Sequence, residues 1–178
     1  MSAQDHGARF LAESVSGFRA LREQANRALA QASDDAFFAR LDDTSNSLAV
    51  LVAHVGGNAL SRWTDFLTTD GEKPSRNRDA EFELDPRLTR ADLMRQWDEG
   101  WRAVFAAVEG LTVGDLDRTI TIRGEPHSVM QAILRQLRHY AYHVGQIVLL
   151  AKHYRGADWE TLSIPKGQSR QFDRALRS

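Results

Sequence analysis

Two histidines four residues apart, His139 and His143 in "QLRHYAYHVGQIVLL", sit inside an otherwise apolar and aromatic run. On a helix that spacing puts both imidazoles on one face, one turn apart. Their nitrogens can then converge at about 2.0–2.1 Å from a zinc-sized cation. Gln136 and Gln146 flank the same face within about 60° on a helical wheel, where they could hold an imidazole N–H or a metal-bound water. The pair is not the HExxH of metalloproteases, because Tyr140 stands where that motif has its general base. Taken alone, an HxxxH pair also suits simple core packing.

A third ligand would decide between the two readings, and His54 is the best-placed candidate. With His54 at zero and about 100° per residue, Asn58 falls near 40°, Ser61 near −20° and Asp65 near 20°. These four make one polar stripe on a helix where Val50, Leu51 and Val52 leave no wide solvent face. Such a line must be hydrogen-bonded, hydrated or coordinated, since an unpaired buried polar group costs about 1–3 kcal/mol. A satisfied core stripe and a ligand-bearing one both meet that condition. His6 near the terminus, His127 at the hairpin–helix junction and His153, ten residues past His143 and about 280° round the wheel, read as structural or surface residues.

The elements that must carry these residues follow from periodicity. Phe10, Leu11, Val15, Phe18, Leu21 and Leu29 recur at helical spacing, with Arg19, Arg22 and Glu23 opposite, so an amphipathic first helix spans Phe10 to Leu29. A short turn is expected around Phe37 to Leu41. "TSNS" supplies N-cap candidates for a second helix running to about Leu67. Thr68 to Thr89 is the longest irregular stretch, rich in charges of both signs, and a loop of that length in a compact domain is usually functional or mobile. Thr89 and Asp92 form a capping-box pattern for a third helix that turns Leu93, Met94, Trp97, Trp101, Val104, Phe105 and Val108 inward. Thr119 to Ile122 alternates and then turns at Gly124, which predicts a small β-hairpin. Ser128 can cap a fourth long helix from Val129 to about Tyr154, ending near Gly156. A docked loop and one short helix are expected in the tail. The result is an all-α four-helix bundle with a short β-hairpin before the last long helix, in a single domain over residues 1–178.

Composition narrows the function classes. The chain has 178 residues, 42% hydrophobic and 26% charged, as in an ordinary globular domain. A formal net charge of −1 gives no electrostatic case for nucleic acid or an anionic membrane surface. Cysteine is absent, which rules out disulfides, zinc–thiolate sites and a cysteine nucleophile. The start "MSAQDHGARF" lacks the basic and apolar segments of a secretory signal, so a cytoplasmic location is expected. "HVGGN" is neither a P-loop nor a dinucleotide fingerprint.

His54 followed by "GGN", and a later helix with "HYAYHVGQI", resemble the DinB/YfiT-like superfamily of metal-binding four-helix bundles. "SRWTDFLTTDGEKPSRNRDAEFE" and "LSIPKGQSRQF" are similar to one bacterial branch of undefined function, and the resemblance runs from about Asp42 to Phe172. It implies a divalent metal held by His54, His139 and His143. Three neutral imidazoles would leave positions open for Lewis-acid work on a bound water or substrate thiol, with zinc or nickel ahead of iron or manganese. Similar proteins include transferases acting with low-molecular-weight thiols such as bacillithiol or mycothiol, and here a thiolate would have to come from the substrate. Asn58, Arg62, Asp65 and Gln146 are the pocket candidates. Arg76 and Arg78 could bind an anionic substrate if the long loop folds over the mouth, or could pair internally with Asp79, Glu81 and Glu83. The expected protein is a metal-dependent small-molecule thiol transferase or hydrolase and a homodimer. The alternatives are a non-catalytic metal or small-molecule binding protein, and a structural dimer with packed histidines.

Overall fold

A computed structural model of the chain describes residues 2–170. Four long helices form the frame: α1 (Ala3–Leu29), α3 (Leu48–Trp63), α4 (Arg90–Glu109) and α5 (Val129–Arg155), with the short α2 (Asp34–Phe38) between the first two. A hairpin of β1 (Thr119–Ile122) and β2 (Glu125–Ser128) precedes α5, pairing antiparallel from Thr119 opposite Ser128 to Ile122 opposite Glu125. This is the expected helical bundle with its hairpin.

Helix starts follow the capping chemistry. The side chains of Ser47, Thr89 and Ser128 each accept from a backbone N–H in the first turn of α3, α4 and α5. Thr89 with Asp92 and Ser128 with Gln131 complete reciprocal capping boxes. The first helix starts well before Phe10, because Ser2 and Asp5 form a further capping box that places His6 within α1. The short helix near Phe37 begins earlier than expected, at Asp34 behind the Ser33 cap. The second long helix stops at Trp63 rather than Leu67. Thr64 turns to extended backbone while its hydroxyl donates to Leu60 O, and Asp65 takes a left-handed φ of 49°. The short helix expected in the tail lies outside the described residues.

The bundle packs α3 against α4 and α1 against α5, around a core that includes Phe18, Leu51, Trp63, Trp97, Trp101, Tyr140 and Ile147. The α3–α4 approach is set by glycine. A Cβ on Gly100 would come within 2.6 Å of Gly56 O, and one on Gly56 would meet the Trp97 backbone at 3.1 Å. Of the residues expected to face inward on α4, Leu93, Trp97, Trp101, Val104 and Val108 are buried, and Met94 and Phe105 pack partly exposed against them. Among the described residues, no helix is long and apolar enough to cross a membrane.

The long loop between α3 and α4 is anchored to the hairpin. Asp70 accepts from the backbone N–H groups of Arg123 (2.9 Å) and Gly124 (2.7 Å), and Gly71 N–H donates to Thr121 O (2.9 Å). Arg123 and Gly124 both have positive φ (57° and 76°), the pairing that suits a tight hairpin turn. Burial raises the Asp70 carboxyl pKa, but the N–H donors of Glu72, Gly124 and Arg123 outweigh it and hold the group at about 2.

Candidate metal centre

The centre forms where the middle of α3 faces the middle of α5. His54 comes from α3, and His139 and His143 from successive turns of α5. His54 is 5% exposed and His143 8%, so both imidazoles have left water. Their Nε2 atoms converge on that of His139, at 3.3 Å from His54 and 3.1 Å from His143. Ligands at about 2.0–2.1 Å from a tetrahedral zinc are separated by about 3.3 Å along each edge, so the donor spacing matches a shared cation.

The outer nitrogens fix the tautomers. His143 Nδ1 lies 2.9 Å from Gln146 Oε1, an atom that can only accept, so this nitrogen carries the proton. His54 Nδ1 lies 2.9 Å from Glu81 Oε2 and donates to that carboxylate. Both Nε2 lone pairs therefore point inward at His139 Nε2. One imidazole proton cannot satisfy two such lone pairs well, and His139 Nδ1 is itself buried without a hydrogen-bond partner. A cation at the focus would satisfy all three inward nitrogens, so the residues present fit a divalent metal. His139 and His143 also resist protonation. Burial, followed by the neighbouring His143, His54, Arg76 and Arg62, pushes the His139 pKa down to about 3, and burial lowers that of His143.

Glu81 does the same positioning work for His54 that Gln146 does for His143. It sits in a short 3₁₀ turn (Asp79–Glu81) of the long loop and is held by a two-pronged pair with Arg76, at 2.8 Å from Nε and 2.7 Å from Nη2. Burial raises its pKa, but hydrogen bonds from His54 and Arg76 prevail and keep the carboxyl below its ordinary range. Room for it comes from Gly57, since a Cβ there would collide with Glu81 Oε1. Phe82 covers the His54 ring at 4.9 Å between centroids. The "GGN" after His54 thus has two uses: Gly56 admits α4 and Gly57 admits Glu81.

The other pocket candidates divide. Asn58 and Arg62 line a cavity of about 210 Å³ that also touches His54 and His139. Gln146 holds His143 from behind. Asp65 lies past the end of α3, is exposed, and lines two other surface depressions, neither of them lined by a histidine. Ser61, the remaining member of the stripe, bonds the loop instead, donating to Gly71 O and accepting from Lys73 N–H. Gln136 is not beside the histidines' outer nitrogens; its Nε2 donates to Asn58 Oδ1 at 2.7 Å and Tyr140 Oη at 3.1 Å.

Arg76 pairs with Glu81 and Glu72, whereas Arg78 lies over the Phe82 ring at 5.0 Å. His127 meets the Glu125 backbone and Arg135, and His153 is exposed.

Sequence reasoning did not assign Glu81, Phe82, Arg123 or Arg135 to the site. Glu81 had appeared only as an ion-pair partner for the loop arginines. The available signal was the length and charge of the loop itself, which periodicity cannot convert into a contact.

The family model described as a protein of unknown function (DUF1572) matches residues 5–168, a span that contains all three histidines and Glu81. The chain belongs to the DUF1572 family. No curated protein and no solved structure matches it.

Proposed function

We propose that this protein is a metal-dependent enzyme of the DinB/YfiT-like kind, in which His54, His139 and His143 hold one divalent cation and a small-molecule thiol is the substrate. The observation that carries the proposal is the inward convergence of three Nε2 atoms, two of them with their opposite nitrogens tied to Glu81 and Gln146. That outer support sets ring orientation and raises ligand basicity. Bound there, the metal would supply Lewis-acid chemistry, lowering the pKa of a coordinated water or thiol. The donor set accepts zinc or nickel first, and iron or manganese by the same chemistry.

The chain's own groups favour a thiol over hydrolysis. No carboxylate is among the residues lining the cavity beside His54 and His139, and Glu81 is already committed to His54 and Arg76. A substrate that loses its proton readily suits a site without a free general base. The same lack of a base favours the second reading, a non-catalytic metal or small-molecule binding protein.

For quaternary structure we propose a homodimer. Its support is the outer face of α5, where Tyr142 and Leu149, two turns apart, are each 64% exposed, and the neighbouring shallow groove includes Ala20, Leu21, Leu137 and Ala141. Sedimentation equilibrium with Tyr142→Glu tests it, and a wild-type monomer at micromolar concentration overturns it.

The test of the main proposal is metal analysis of tag-free protein, followed by thiol consumption with a panel of electrophiles. One equivalent of divalent metal, lost in His54→Ala, and metal-dependent turnover absent from His143→Ala are expected. Stoichiometric metal retained by His54→Ala defeats the three-histidine assignment, and metal without turnover across the panel leaves the binding protein.

A further inference from the structure

The cavity beside the histidines is lined by five arginines, Arg62 from α3, Arg76 and Arg78 from the long loop, Arg123 from the hairpin turn and Arg135 from α5. No acidic residue lines it. Among the described residues, the salt bridges of these five go to two carboxylates only. Glu72 meets Arg76 at 3.0 Å, Arg123 at 3.2 Å and Arg62 at 3.6 Å, and Glu81 meets Arg76. Arg78 lies over Phe82, and Arg135 donates to His127 Nε2 at 3.3 Å. Five guanidinium groups outnumber the two carboxylates that bridge them, which leaves positive charge in excess around a small space.

Arg62 is the residue that a structural role explains least. It is 3% exposed, and its Nε and Nη1 have no hydrogen-bond partner. The guanidinium packs over Gly71, where a Cβ would come within 2.5 Å of Nη1. Arg62 thus brings buried positive charge to the cavity wall, and burying an uncompensated charge is costly. Asn58 adds to the same polarity. Its Oδ1 accepts from Gln136 Nε2 and from the Tyr140 hydroxyl, which leaves the amide N–H₂ as its free function at the cavity wall. The cavity therefore offers donors and positive charge, contributed by four separate parts of the chain.

We infer that this cavity is an oxyanion subsite, binding the phosphate or carboxylate end of a small-molecule substrate next to the histidines. Planar guanidinium forks match both groups, often through paired N–H···O bonds. A volume of about 210 Å³ accommodates one such group with a short linker, not a macromolecule. The inference deepens the metal reading and rests on it only for what the substrate's other end meets. The oxyanion site itself requires the arginines alone. It also accounts for the long loop and the hairpin being fastened together by Asp70, because each delivers an arginine to the same space.

The test is isothermal titration of chelator-treated, full-length protein with inorganic phosphate and, separately, with malonate, at low ionic strength. Arg78→Gln combined with Arg135→Gln is the chosen variant, because both side chains are exposed and neither holds the core. Its fold is checked by circular dichroism. At least one oxyanion should bind with a Kd below about 1 mM, weakened about tenfold or more in the double variant. Tighter phosphate assigns a phosphate end, and tighter malonate a carboxylate end. No binding of either, or equal binding by the variant, overturns the inference. Zinc stoichiometry measured on the same protein before chelator treatment keeps the two ideas apart. Zinc without oxyanion binding removes only this subsite, and oxyanion binding without zinc removes only the metal centre.

Discussion

Two polar clusters lie between α3 and α5, one helical turn apart, and they are built on opposite principles. In the first, Trp63 Nε1–H donates to Tyr140 Oη at 3.1 Å, Gln136 donates to both Tyr140 and Asn58, and the Tyr140 hydroxyl donates to Asn58 Oδ1 at 3.3 Å. The shared acceptors are all supplied, and burial pushes the Tyr140 pKa up to about 12, so the group stays neutral. In the second, the Nε2 atoms of His54, His139 and His143 converge on one another with nothing of the chain between them. The first cluster is complete as a piece of protein. The second has converging nitrogens that a cation could complete. Burial by itself therefore does not mark a site; the balance of donors and acceptors does.

The largest effect that would break this contrast is loss of a ligand. His54→Ala should weaken zinc binding by more than about 100-fold, beyond what an outer-shell change produces, as read by competition with a chromogenic chelator. Unaltered affinity would mean that the two clusters are alike after all. Glu81→Gln should weaken it by about 10- to 100-fold, because His54 loses the carboxylate that sets its tautomer. Tyr140→Phe should do the reverse, costing about 1–3 kcal/mol in urea denaturation by stranding Trp63 and Gln136, with zinc affinity unchanged.

The smallest effect concerns the loop and hairpin that wall the histidine side. Asp70 has a folded pKa of about 2 against an ordinary 3.8, so its stabilisation is present above that ordinary value and is lost as pH falls toward 2. Acid titration of stability should be flatter in Asp70→Asn than in wild type across that window, with the gap between the two greatest near neutral pH and closing as pH falls.

Much of the frame was legible because local chemistry dictates it. Ser47, Thr89 and Ser128 announce helix starts, and Thr119 to Ile122 announces a strand. His139 and His143 were legible as a pair because i, i+4 spacing on one helix is a short-range fact. Glu81 was not, since its approach to His54 depends on how an irregular loop crosses α3 and on the missing Cβ of Gly57. Arg123 reaches the cavity only through a turn at positive φ, for which the residue type gives little warning. Asp65 shows the opposite failure. The wheel placed it on the stripe, but Thr64 ends the helix one residue earlier and periodicity stops applying.

The Asp70 clamp carries a consequence for hydrogen exchange. The amide protons of Gly71, Glu72, Arg123 and Gly124 are all bonded within the loop–hairpin junction, three of them to the one carboxylate. Segments far apart in the chain should then open in a single event and show one shared protection factor rather than four separate ones. The wall that presents Arg76, Arg78 and Arg123 would exchange as one unit, on its own clock, while the helices beneath it remain closed.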